Sequence, residues 1–67
     1  MDLIVNGEFR RIDLVVDTLQ GVLDALSISA EGRIIELNGR LFRSSEFVIQ
    51  GVRPGDKIEI IQFMGGG

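Results

Sequence analysis

The sequence has no cysteine, no histidine, no tryptophan, no tyrosine and a single proline. Without cysteine there is neither a disulfide framework nor a thiolate metal site. Without histidine the commonest general base and the commonest metal ligand are both missing. No serine–histidine nucleophile can be assembled from this chain. Cations are also in short supply: seven Lys and Arg against ten Asp and Glu leave a net charge of −3. That balance argues against nucleic acid, whose affinity rests on cationic contacts to phosphate. It argues equally against an anionic membrane surface. A basic protein surface is the better electrostatic match. No apolar run approaches the roughly 20 residues of a membrane span. No basic start followed by an apolar core is visible, so the cytoplasm is the expected compartment.

What is present suits one small domain. The chain has 67 residues, 45% of them hydrophobic. A domain of this size is marginal on its core alone. Even so, about ten buried apolar side chains at ~1.5–3 kcal/mol each give a gross gain of tens of kcal/mol, most of it cancelled by conformational entropy. An enclosed pocket is hard to accommodate, so an autonomous enzyme is not expected, and neither is a bound cofactor or metal.

The hydrophobic pattern changes period along the chain. In "DLIVN", Leu3 and Val5 fall on one face and Ile4 on the other. Asn6–Gly7 is a strong hairpin signal, because both positions tolerate positive φ. "FRRIDLVV" reads as the return strand, with Ile12, Leu14 and Val16 at period two. Leu19, Val22, Leu23 and Leu26 then form one stripe of a helix, with Asp17 or Thr18 as its N-cap. Gly21 interrupts that helix, either on its outer face or to allow close packing. Ile28 is expected to tuck under the helix end.

"RIIELNGRLF" is a second strand–Asn–Gly–strand signature, with Ile35 and Leu37 inward and Ile34 and Glu36 outward. Ser44 or Ser45 can start a single helical turn anchored by Phe47, and Pro54–Gly55 forces a turn that Asp56 serves. "KIEIIQFM" is the last strand, with Ile58 and Ile60 on one face and Glu59, Ile61 and Phe63 on the other. The order β–β–α–β–β–β gives an α+β domain in which the helix covers one face of the sheet and the other stays wet.

Directly after that strand stands Gly65–Gly66–Gly67. Glycine lacks Cβ and fits channels too narrow for side chains. Three extended residues reach about 10 Å, enough to carry a carboxylate into a partner's active site. The glycines come after the strand with no polar spacer, so the fold itself aims them.

These residues carry a resemblance. The element order, the early "VNG" and above all "GDKIEIIQFMGGG" at Gly55 to Gly67 resemble the ThiS family of ubiquitin-like sulfur carriers of thiamine (thiazole) biosynthesis. The likeness spans the chain; "LNGRLFRSSEF" matches more loosely. It implies a β-grasp fold, a mixed sheet of about five strands with one main helix, over 1–64, and a flexible glycine tail at 65–67. It implies a cycle in which the Gly67 carboxylate is adenylated with ATP by an adenylyltransferase related to the ubiquitin-activating enzymes. A persulfide donor then converts it to a thiocarboxylate, and thiazole synthase takes the sulfur. Gly65 and Gly66 would be the tail, and the third glycine adds reach rather than chemistry. The carrier is then a co-substrate of its partners and no enzyme. The molybdopterin-synthase small subunit is an alternative, though it usually has a proline-bearing segment before its glycines, which this chain lacks. A protein modifier joined to lysines shares the chemistry up to the adenylate, and a pure binding module with an incidental tail is the other remaining class.

Ile4, Ile34, Ile61, Phe63 and Met64 are the candidate partner-binding residues. The first four are expected together on the uncovered sheet face, unless the 44–54 segment covers one or two of them. Arg40, Arg43, Arg53 and Lys57 could orient partners but read first as a solvated rim.

Overall fold

Both Asn–Gly pairs adopt the left-handed geometry that a two-residue hairpin needs: Asn6 and Gly7 have φ of 50° and 82°, and Asn38 and Gly39 have φ of 48° and 89°. The structure, a computed structural model, describes Met1–Phe63; Met64–Gly67 lie outside the described residues. The first turn joins β1 (Asp2–Val5) to β2 (Glu8–Arg11), and the second joins β3 (Arg33–Leu37) to β4 (Arg40–Phe42). Between the hairpins lies α1 (Leu19–Ala25). A 3₁₀ turn (Ser44–Glu46) and an irregular run lead to β5 (Lys57–Gln62).

β5 enters the middle of the sheet, whose order is β2-β1-β5-β3-β4. It runs parallel to β1, with Val5 beside Ile58, and antiparallel to β3, with Ile34 opposite Ile61 and Ile35 opposite Ile60. The inward residues Leu3, Val5, Ile35, Leu37, Phe42 and Ile58 meet Leu19, Val22 and Leu23 of the helix, with Ile12, Phe47 and Val52 closing the sides. Ile28 packs against this core from below the helix end, its N–H donating to Leu23 C=O at 2.9 Å.

The helix is short and its start is fully tied down. Thr18 is the N-cap, its hydroxyl accepting from Gly21 N–H at 3.1 Å. Leu19 N–H donates to Gln50 C=O and Gln20 N–H to Phe47 C=O, both at 3.0 Å. Three N–H groups that a helix N-terminus leaves without internal partners thus find acceptors, two of them in the 47–52 segment. That segment is spent on the helix side, so it leaves the outer face of the sheet uncovered.

The first return strand is shorter than its pattern predicts. The alternation Ile12, Leu14, Val16 continues to Val16, yet β2 ends at Arg11; Ile12 is buried, Leu14 is half-buried and Val16 is exposed. β2 pairs only with β1, where Asp2 faces Arg11 and Met1 and Ile12 exchange two hydrogen bonds. No residue of β1 lies opposite Asp13, and a strand cannot continue without a ladder partner. The last strand also stops earlier than expected, at Gln62, with Phe63 beyond it.

Gly21 is buried, and close packing explains it. A Cβ built there would stand 1.8 Å from the Val16 carbonyl oxygen. Backbone must move to admit it, which outweighs the ~1 kcal/mol that alanine gains in helix propensity. Gly21→Ala should lower stability by about 2–3 kcal/mol in urea unfolding; an unchanged midpoint would show that the 13–17 loop yields freely.

Asp2 and Arg11 bridge β1 and β2 through an ion pair of 2.8 Å. The Arg11 hydrogen bond, and less strongly its charge and that of the N-terminal ammonium, hold the Asp2 carboxyl below its ordinary range. A carboxyl depressed in the folded state contributes stability above its unfolded pKa and loses it as pH falls through the folded value. Asp2→Asn should therefore flatten the acid limb of the stability profile slightly, an effect that salt erases because the pair is exposed. Thermal melts across the acid range, with and without salt, check this.

Candidate functional site

Alternation along the strands decides what the open face displays. Opposite the helix it carries Phe9 on β2, Ile4 on β1, Lys57, Glu59 and Ile61 on β5, Ile34 and Glu36 on β3, and Leu41 on β4. The expected partner-binding residues on it fall into two groups. Ile34 and Ile61 are direct cross-strand partners, and Phe63 stands two residues beyond Ile61. Ile61 is 38% exposed and Phe63 58%. Ile4 stands elsewhere: its neighbours across the ladder are Phe9 and Lys57. Lys57 lies four residues before Ile61 on the same strand, roughly 13 Å away. The structure thus brings Ile34, Ile61 and Phe63 together and separates Ile4 from them by the charged belt of Lys57, Glu59 and Glu36. Met64, the other expected contact, and Gly65, Gly66 and Gly67 lie outside the described residues.

Two large exposed apolar residues on this face, Phe9 and Leu41, were not among those expected. Period two would have found both. Phe9 is opposite in parity to the inward Ile12, and Leu41 adjoins the buried Phe42.

The end of the described chain is fixed. Phe63 N–H donates to Gly32 C=O at 2.7 Å, so the last described residue is bonded to the residue just before β3. Beside it opens a shallow cleft of about 400 Å³ lined by Gly32, Arg33, Ile34, Arg43, Ser44 and Phe63. An apolar ring flanked by two guanidinium groups suits an apolar and acidic contact. Of the four expected rim cations, Arg43 lies here and Lys57 in the belt. Arg53 and Arg40 line a separate open cavity, Arg40 standing 5.6 Å over the Phe42 ring.

At the opposite end of β5, two side chains from neighbouring turns hold the strand. Asp56 accepts from Arg53 N–H at 2.8 Å and from the Asn38 side-chain amide at 2.9 Å, while Asn38 Oδ1 accepts from Lys57 N–H at 2.9 Å. Asp56 therefore serves the Pro54–Gly55 turn, as the sequence predicts. Among the described residues no three His, Cys, Asp or Glu side chains are grouped to hold a metal ion, and no helix is long and apolar enough to cross a membrane.

The described geometry offers an apolar face, a fixed strand end and a cationic cleft. A mixed five-stranded sheet with one helix across it, holding its last strand centrally, defines the ubiquitin-like β-grasp class. Within that class the chain belongs to the ThiS family, whose profile matches residues 3–67. The chain is similar to the thiamine biosynthesis protein ThiS of Geobacter metallireducens. The crystal structure of that protein aligns over 100% of both chains, with a TM-score of 0.82 and 36% identity. Its NMR solution structure aligns over 100% of this chain and 88% of that one, with a TM-score of 0.76 and the same identity of 36%. The chain is also 33% identical, over all 67 residues, to part of a thiazole synthase of Paramagnetospirillum magneticum, and it spans only 20% of that protein's length.

Parity separates surface from core on β5, and substitution by aspartate should read it out. Ile61→Asp places a charge in water and should leave the circular dichroism spectrum intact. Ile58→Asp buries an unpaired charge at a residue 1% exposed and should unfold the domain. Unfolding of both variants would place Ile61 in the core.

Proposed function

We propose that this chain is a sulfur carrier of thiamine biosynthesis, with Gly67 as the point of attachment. The observation that carries the reading is the family match over residues 3–67, which takes in the glycines after β5. The chemistry of the sequence agrees. A carboxylate is a poor electrophile until its oxygen attacks the α-phosphate of ATP, expels pyrophosphate and becomes an acyl-adenylate. Attack by a persulfide sulfur then expels AMP, and a second thiol cleaves the sulfur–sulfur bond to leave the thiocarboxylate. With no cysteine in the chain, sulfur has no side chain to rest on. With no histidine, proton transfer falls to partners. ATP and sulfur therefore come through an adenylyltransferase related to the ubiquitin-activating enzymes and through a persulfide donor, and the chain acts as co-substrate in the cytoplasm.

Thiazole synthase is the proposed acceptor. The P. magneticum thiazole synthase contains a region like this chain. Tethering a carrier to the enzyme that consumes its sulfur raises the effective concentration of the pair. In the proposed complexes Ile34, Ile61, Phe63 and Met64 meet the partner's body, Ile4 meets it at the far side of the charged belt, and Gly65 and Gly66 thread a narrow channel. Intact-mass measurement of the protein from its own cells should show one oxygen replaced by sulfur. Lysine-linked conjugates in its place would assign it as a protein modifier.

Gly66→Ala should abolish ATP–pyrophosphate exchange while leaving the fold untouched, because one methyl group meets the channel wall and restricts φ. Gly65→Ala, nearer the mouth, should be milder. Exchange by the Gly66 variant at the rate of the unmodified protein would remove the channel from the proposal.

A further inference from the structure

β5 loses one of its two neighbours partway along. Lys57 C=O accepts from Asn38 N–H at 2.9 Å and Phe63 N–H donates to Gly32 C=O at 2.7 Å. The main-chain groups of the odd-numbered residues therefore face β3. Ile58 C=O accepts from Asn6 N–H at 2.8 Å, so those of the even-numbered residues face β1. β1 ends at Val5 and turns back through Asn6–Gly7. Its last contribution is a side chain: Asn6 Oδ1 accepts from Ile60 N–H at 2.8 Å. Past that bond, Ile60 C=O and both main-chain groups of Gln62 face the lane that β1 has left. Among the described residues no hydrogen bond reaches them.

We propose that this lane is a docking edge for main chain, filled by an extended segment of the enzyme that receives the C-terminal carboxylate. Unpaired strand groups are a template for another strand, and here they continue a ladder already in register. The two outer edges of the sheet are blunted in the usual way: β4 is three residues long and starts with Arg40, and β2 is four residues long and carries Glu8, Arg10 and Arg11. The edge of β5 at Ile60 and Gln62 has no such protection, and it lies where a partner must pass. Gln62 is five residues before Gly67, about 17 Å of extended chain, so an enzyme that takes up the terminus runs beside this stretch. The occupant is main chain because the lane offers N–H and C=O groups. On the outer face, Ile61 and Phe63 supply the flanking apolar contact. The inference rests on the carrier reading above.

The test uses the full chain made by chemical synthesis with an N-methyl group on Gln62. The change deletes one donor that faces away from β3, so the dichroism spectrum and the slow exchange of the Phe63 amide should persist. With the adenylating enzyme of the source cells, the carrier concentration giving half-maximal ATP–pyrophosphate exchange should rise about tenfold at unchanged maximal rate. Hydrogen exchange on the unmodified protein gives a second readout independent of any variant. The Gln62 amide should exchange freely alone and about 100-fold more slowly in the complex. Unchanged half-saturation, or a Gln62 amide as fast in the complex as alone, overturns the proposal. If the unmodified chain supports no exchange at all, the carrier reading itself fails and the docking edge falls with it.

Discussion

β5 comes last among the described strands yet lies in the middle of the sheet, parallel to β1 on one side and antiparallel to β3 on the other. Without it the remaining strands are two separate hairpins, each marginal in water by itself. With it they become one surface on which α1 can bury Leu19, Val22 and Leu23. The turns reinforce the insertion. Each hairpin presents an asparagine whose side-chain oxygen accepts from β5 main chain, Asn6 from Ile60 and Asn38 from Lys57. Positive φ at both asparagines thus makes the turn and also aims the acceptor.

Commitments on the helix side create the open face. The run from Phe47 to Val52 accepts from Leu19 and Gln20 and bridges Gly51 to Thr18, so it has no length left to cross the sheet. Gly21 lets the loop before the helix close down on it, with the Val16 carbonyl lying where a side chain would begin. One face is therefore densely packed, while the other keeps Phe9, Leu41, Ile61 and Phe63 in solvent. In a ThiS-family chain that asymmetry leaves a whole sheet face available to partners.

Local chemistry was legible in the sequence, and lateral geometry was not. The two Asn–Gly turns, the Thr18 cap, the Phe47 anchor and the inward parity of Ile35, Leu37 and Ile58 each depend on residues close in sequence. They appear where the pattern puts them. The position of β5 between β1 and β3 depends on Val5 meeting Ile58, more than fifty residues apart, and no periodicity encodes it. The same gap explains the misjudged end of β2: alternation runs on through Val16, but strand length is set by the partner strand. In the site, parity correctly turned Ile4, Ile34 and Ile61 outward. It could not show that Ile4 sits near the start of β5 and Ile61 near its end, nor that Phe9 and Leu41 share their face.

The central placement of β5 also makes assembly of the whole sheet wait on the last described strand. A nascent or clipped chain without residues 57–62 has two hairpins and no joined sheet. Withdrawal of its first half dissolves the ladder to β1 and the ladder to β3 at once. The surface on which α1 packs is therefore whole only in a molecule whose last described strand is already in place.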